Sequence, residues 1–396
     1  MSVIDEERVA RENVPHVVLA ERRGRYFGPN WFASVMGTGI VANAGAVLPV
    51  DVAGLKAFCE VVWFLAAILL TTLLVATAIH WMRSPQLARS YGWDTQMSHF
   101  YGALPMALLT VGAGALLVAH SILGVRLAVD LDWVLWTAGT VLGLATAAVI
   151  PYRMFTAIEV APDSAFGGWL MPIVPPMVSA TTGALLVPHI ASPEGRATLL
   201  YCCYAMFGVS IVASLIVMTL LWSRFVHYGT SLSRTPTAWI VLGPLRQSVT
   251  AVGLLGAVAH LAVPANVAAS MTTFAILYGV PVWGFSMLWA VIAASLTVRA
   301  IRRKMPFALT WWSFIFPVGV TVTGMIRLAT ETSPPLFRWA SVAGYVVLLG
   351  AWLVVAARTL SATSRGQLLS ESAPEVQKVL VLKERCPRLF TSSKVA

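Results

Sequence analysis

PFALTWWSFIFPVGVTVTGMIRLAT, residues 306–330, is apolar and long enough to cross a bilayer, yet it carries Pro317 near its middle. Small and hydroxylic residues follow (Gly319, Thr321, Thr323, Gly324), and the pair Trp311 and Trp312 precedes. A proline within a helix removes one backbone hydrogen bond and releases the carbonyl four residues back, here that of Ser313, which hydrocarbon cannot satisfy. Such a segment belongs inside a bundle, facing protein or a water-filled path.

Outward from it, the same arrangement recurs four times. LPMALLTVGAG places Pro105 ahead of Thr110 and Gly112, and PPMVSATTG places Pro176 ahead of Thr181, Thr182 and Gly183. GPLRQSVTAVG sets Pro244 ahead of Thr250 and Gly253, and GPNWFASVMGTG sets Pro29 ahead of Gly37, Thr38 and Gly39. The prolines recur at roughly 70-residue intervals, which marks a repeat architecture. In the first copy Pro29 precedes its helix and does not interrupt it.

The chain is 58% hydrophobic and 11% charged, against about 25% charged in soluble domains, and so reads as an integral membrane protein. The net charge of +10 is topological and not a nucleic-acid signal. Apolar runs fall at 31–48, 57–80, 98–120, 131–152, 168–190, 198–222, 239–261, 270–298, 307–329 and 338–358. They predict an all-α protein of ten transmembrane helices in five hairpins (28–358), with a charged lead (1–27), including a short surface helix around Tyr26 and Phe27, and a largely disordered tail (359–396). No cleavable signal is evident at the start. Sixteen Lys and Arg lie on the side of the N-terminus against four on the other (Lys56, Arg126, Arg196, Arg338), which predicts cytoplasmic termini in a multi-pass plasma-membrane protein. The odd helices hold the prolines and most mid-span Ser and Thr, whereas the second run has neither Gly nor Pro. Small residues allow close backbone approach and kinked backbone needs shielding from lipid, so the odd helices are expected to form an inner ring around a central pore, in quasi-five-fold arrangement, with the even ones outside.

The FGPNWFASVMGTGI opening, the five Pro-bearing odd helices and the WWSFIFP segment resemble the tellurite-resistance/dicarboxylate transporter family. That family includes bacterial tellurite-resistance proteins, yeast malate permeases, sulfite pumps and the slow anion channel of plant guard cells. The likeness covers residues 26 to 358 and implies ten helices around a five-helix pore, commonly in a homotrimer, passing anions down their gradient or with a proton. The family's pore-occluding phenylalanine directly precedes the ninth-helix proline, which matches Phe316. Arg246, two residues after Pro244, departs from the small or neutral residue expected there.

The odd helices carry no interior Asp or Glu, which weakens a cation channel or a carboxylate relay and favours small anions as the partner. The expected path is lined by Pro105, Thr110, Pro176, Thr181, Thr182, Pro244, Thr250, Pro317 and Thr321, with Phe316 as gate and hydroxyl groups meeting the ion weakly enough to let it leave. Phe314 and Phe307 read as packing residues. Arg246 reads either as an anion-attracting vestibule charge or as an anchor snorkelling to the interface, and Arg327 as an interface anchor or a residue of the outer mouth. His120, His189 and His260 fall near the outer helix ends. His99 and His120 stand about 31 Å apart along one helix, so matched haem ligands are not indicated. The four cysteines lack metal or disulfide spacing, and neither metal nor cofactor is expected. The function indicated is not enzymatic. It is an anion channel or facilitator, or alternatively a proton-coupled carrier of a C4-dicarboxylate such as malate, or a sulfite exporter, on the same fold.

Overall fold

The computed structural model describes residues 27–158, 160–332 and 334–368. The expectations for the lead through Tyr26 and for the tail beyond 368 lie outside them. Among the described residues the regular elements are helical throughout, and ten are principal. They are α1 (Phe32–Ala46), α2 (Leu55–Arg83), α3 (Met97–Leu123), α4 (Val125–Thr156), α5 (Pro175–Leu186), α6 (Pro193–Tyr228), α7 (Thr235–Leu261), α8 (Ala265–Arg302), α9 (Leu309–Glu331) and α10 (Pro335–Ser364). Eight of these are long and apolar enough to cross a membrane, while α1 and α5, at 15 and 12 residues, are shorter. The even helices run 29 to 38 residues, and α10 continues past residue 358 to Ser364. They outlast their apolar runs because internal hydrogen bonding carries a helix on into the interfacial layer, where charged side chains are already solvated.

Each odd helix is composite. It is entered through a 3₁₀ segment: Pro29–Trp31, Met97–Gly102, Gly167–Leu170, Thr235–Val241 or Leu309–Phe314. Pro105, Pro244 and Pro317 are each the third residue of the α segment that follows, and Pro175 and Pro176 open α5. The reading of Pro317 as a mid-span interruption is thereby corrected. The proline stands in the first α-helical turn, where a missing N–H costs least, and the tighter winding lies upstream of it.

Carbonyls on these composite helices find donors on the outer ones. The indole Nε1 of Trp63 donates to the carbonyl of Val111 at 3.0 Å, that of Trp136 to Ser179 at 2.9 Å and that of Trp289 to Ala238 at 2.9 Å. The Ser210 hydroxyl donates to the Ile173 carbonyl at 2.6 Å. Thr146 Oγ1 reaches the carbonyl of Pro172, the one that Pro176 releases, at 3.4 Å. Protein donors thus do what hydrocarbon cannot.

The odd helices close into a ring: α1 packs on α3, α3 on α5, α5 on α7, α7 on α9, and α9 back on α1. Every even helix packs on the odd helix before it and also against the one after it, so that α2 touches α1 and α3 while α10 touches α9 and α1. Over their most apolar stretches α3, α7 and α9 are 67–89% buried, against 22–39% for the even helices, and α1 and α5 are buried almost throughout. Ile68, Val141, Ile216, Leu277 and Val346, one from each even helix, are exposed and form the apolar shell that suits lipid. Repeat glycines sit at ring seams (Gly37, Gly39, Gly253, Gly319, Gly324), while Gly112 and Gly183 face outer helices. A Cβ at Gly319 of α9 would stand 2.5 Å from Ile40 Cγ1 of α1, so only glycine permits that approach.

Candidate functional site on the central axis

Two spaces lie on the axis, each lined by all five odd helices. The first, toward the end where the 3₁₀ segments enter, is bounded by Met36, Met106, Met171, Val174, Gly243, Trp312 and Phe316, and holds about 10 Å³. That volume is about one water, and the walls offer it almost no polar partner, so the throat is dry. The second, toward the hairpin loops that join odd to even helices, holds about 120 Å³ and is lined by Asn43, Thr110, Thr181, Thr182, Gln247, Thr250, Thr323 and Arg327 among others. Phe316 borders both and is 3% exposed.

A heptad relation generates the two spaces. Met36, Met106, Val174, Gly243 and Phe316 line the throat; the residues seven positions on, Asn43, Ala113, Thr181, Thr250 and Thr323, line the chamber. Seven residues are two turns, which returns a side chain to the same face about 10 Å further along. Each ring helix therefore contributes one residue to a mostly apolar layer and one to a mostly polar layer.

Of the residues expected to line a path, Thr110, Thr181, Thr182 and Thr250 border the chamber and Pro317 borders the throat. Pro105, Pro176, Pro244 and Thr321 border neither space. Pro105 packs toward α4, where a Cβ at Gly143 would stand 3.7 Å from its own Cβ. Pro176 lies two residues past Val174, about 200° round the helix, and Pro244 one past Gly243, about 100° round. Thr321 Oγ1 donates to the Pro317 carbonyl at 2.9 Å. The repeat markers serve helix geometry and seams, and the axis belongs to their neighbours.

Arg246 also borders neither space. It is buried, and its Nη2 donates to the carbonyl of Ser286 on α8 at 3.1 Å, while its Nε has no partner among the described residues. Its bonded nitrogen thus faces an outer helix and not the two axial spaces. The arginine that borders the chamber is Arg327, which is seven residues on from Val320 and eleven from Phe316, three turns along the same face. Its stem lies in the notch left by Gly253 of α7, where a Cβ would stand 3.1 Å from Arg327 Cβ and 3.3 Å from Cγ. Glu331, one turn on, attracts it electrostatically. That spacing from Phe316 was the sequence signal that singles out Arg327.

The chamber threonines spend their hydroxyl protons within the protein. Thr110 donates to the Met106 carbonyl at 2.7 Å, Thr181 to Met177 at 2.9 Å and Thr182 to Val178 at 3.0 Å. Thr250 and Thr323 bond each other across the α7–α9 seam at 3.0 Å. Free hydroxyl donors at the chamber wall are therefore fewer than composition suggests, and Arg327 is the cationic residue among its lining. A single fixed charge inside a low-dielectric wall concentrates counter-ions. Phe314 stacks edge-on with Trp239 and Trp311 at 5.9 Å, and Phe307 packs on Trp311 at 5.4 Å, both as packing residues. His120, His189 and His260 are exposed at the hairpin end.

Residues 26–360 match the family model described as SLAC1, voltage-dependent anion channel. The chain is 23% identical to an uncharacterized transporter of Methanocaldococcus jannaschii, over 87% of this chain and 97% of that protein. It is 25% identical to a sulfite efflux pump of Trichophyton rubrum, over 84% and 90%. With a malic acid transport protein of Schizosaccharomyces pombe it shares 21% identity, over 86% and 79%.

Proposed function

Because the chain belongs to the voltage-dependent anion channel family, we propose that it is a channel or facilitator for small anions, with the central axis as the path. The family and the relatives above are transporters and channels. In this reading Phe316 is the gate, and the chamber walled by Thr110, Thr181, Thr182, Thr250 and Arg327 is where the ion rests. The observation that carries it is the placement of Phe316 between an apolar throat of about 10 Å³ and a polar chamber of about 120 Å³ bordered by Arg327. A bulky apolar ring at a narrowing excludes water and so blocks ions without binding them.

We take α1 and α5, with their flanking segments, as the ninth and tenth spans. The positive-charge bias supports cytoplasmic termini in the plasma membrane, and the family resemblance carries assembly as a homotrimer. The names of the sulfite and malic acid relatives favour a second reading, proton-coupled transport of sulfite or a C4-dicarboxylate through the same path. Flux of chloride, nitrate, sulfite and malate into proteoliposomes, with and without a pH gradient, separates the two. Flux in the absence of the gradient is the expected result; flux that requires it establishes the second reading, and no anion flux under either condition refutes both.

A further inference from the structure

Asp132 of α4 is an acid that the axial path does not use. It is 0% exposed, and neither carboxyl oxygen has a hydrogen-bond partner among the described residues. By the rise of α4 from Val125 it lies about 10 Å from the helix start. Its carboxyl is lodged against α3 at Gly112, where a Cβ would stand 2.5 Å from Asp132 Oδ1. The neighbours of Gly112 on the opposite face of α3, Thr110, Ala113 and Leu117, line the chamber. Directly after this contact α3 widens into a π-helical turn, Ala115–Ala119, which also packs on α4. Such turns loosen a helix locally and recur at functional positions.

An ionised carboxylate so buried, with no protein donor or cation against it among the described residues, is among the most unfavourable groups a protein can hold, and taking up a proton relieves it. No neighbouring charge offers another remedy. On the elements packed against α4 the titratable groups are His99, Tyr101 and His120. His99 contacts Met154 near the opposite end of α4, Tyr101 donates to the Ala88 carbonyl, and His120 is exposed beyond the π turn. Arg126 and Asp130, on α4 itself, are exposed.

We propose that Asp132 is a proton-binding site on the back of α3, and that its occupancy sets whether the axial path is closed. With the proton bound, the carboxyl fits the Gly112 notch and the ring is closed at Phe316, the state described above. Release of the proton to solvent leaves a charge that must gain water or a donor. The π turn is the weak point through which α3 yields, carrying Thr110, Ala113 and Leu117 with it. This inference rests on the axis being the anion path.

The test is an infrared titration of the protein in liposomes together with anion flux across the same pH range, for wild type and Asp132→Asn, which has the shape of the protonated acid. The expected result is a carboxylic-acid C=O band at neutral pH that is lost in the variant, and wild-type flux that rises severalfold as the band titrates away, while Asp132→Asn stays at the low level throughout. Should Asp132→Asn not yield monodisperse protein, Asp132→Leu serves as the uncharged form, because an apolar group in place of an unpartnered polar one is tolerated. Absence of the band, or a variant whose flux follows the wild-type pH profile, overturns the proposal. A protein that carries no anion at any pH would refute the proposed function instead, and the infrared titration alone would then decide whether the proton site exists.

Discussion

The throat and the chamber are built from the same five helices, two turns apart, and differ in almost every property that matters to an ion. Met36, Met106, Val174, Gly243 and Phe316 give way to Asn43, Ala113, Thr181, Thr250 and Thr323, with Arg327 one further turn on. Backbone geometry is common to both layers, so the difference resides in side chains at axis-facing positions. In the proposed reading a single ring holds a dewetted barrier and an ion-attracting chamber side by side. The barrier is defined by what it leaves unsolvated, and the chamber by one charge.

Removing the barrier is the largest perturbation. Phe316→Ala joins the two spaces, and single-channel or vesicle flux should rise at least about tenfold, the change that accompanies the loss of about 1.4 kcal/mol of barrier. Equal flux at equal reconstitution would show that the throat is closed by its methionines and not by the ring. Next is the charge. Arg327→Ala is expected to lower anion flux and anion-over-cation selectivity about five- to tenfold, as befits loss of about 1 kcal/mol of attraction for one partly screened charge. Arg327→Lys should keep most of both, and reversal potentials in asymmetric salt distinguish the outcomes.

A smaller effect is expected from Gly253→Ala. The new methyl would stand 3.1 Å from Arg327 Cβ, so the stem shifts and anion flux falls about twofold at unchanged protein yield, within the modest cost of a few tenths of an ångström of overpacking. Smallest of all is Arg246→Met. That guanidinium faces Ser286 on α8, so selectivity should match wild type within error, and thermal stability should hold or rise, as when buried charges are replaced by packed apolar groups. A selectivity loss there as large as at Arg327 would erase the distinction between the two arginines and move the chamber's charge.

Much of this arrangement was legible from residues alone. Pro, Gly, Thr recurrence gave five hairpins, the charge split gave a common end for the odd-helix entries, and the composition contrast between α2 and the odd helices gave the two shells. What the residues hid was azimuth. Arg246 and Arg327 both sit in ring helices, and their depths along the helix do not say which faces the axis; a register anchored at Phe316 puts Arg327 on the chamber side and leaves Arg246 sideways. The same omission made Pro105, Pro176 and Pro244 look like wall residues, because the features that recur are those that shape the backbone, and they point where the neighbouring helix is. Asp132 was hidden for a different reason. It stands at the edge of an apolar run on an outer helix, where an acid ordinarily meets solvent, and only the notch at Gly112 draws it inward.

Beside the α9–α1 contact that closes the ring, the last outer helix is bonded to the first ring helix. Tyr345 of α10 donates to the Val41 carbonyl and Trp352 Nε1 to Thr38 Oγ1, contacts spanning 304 and 314 residues of sequence. Such long-range pairings are slow to form, and here they also impose an order on biogenesis. While a ribosome is still making the middle of the protein, α1 has α3 to lie against, and Asn43 its Thr110 carbonyl, but neither α9 nor α10, so that Thr38 waits for Trp352 sheltered by the insertion machinery or held at the membrane surface. A chain cut short before the ninth helix therefore leaves the ring an open arc, with α1 and α7 lacking the neighbour that closes it.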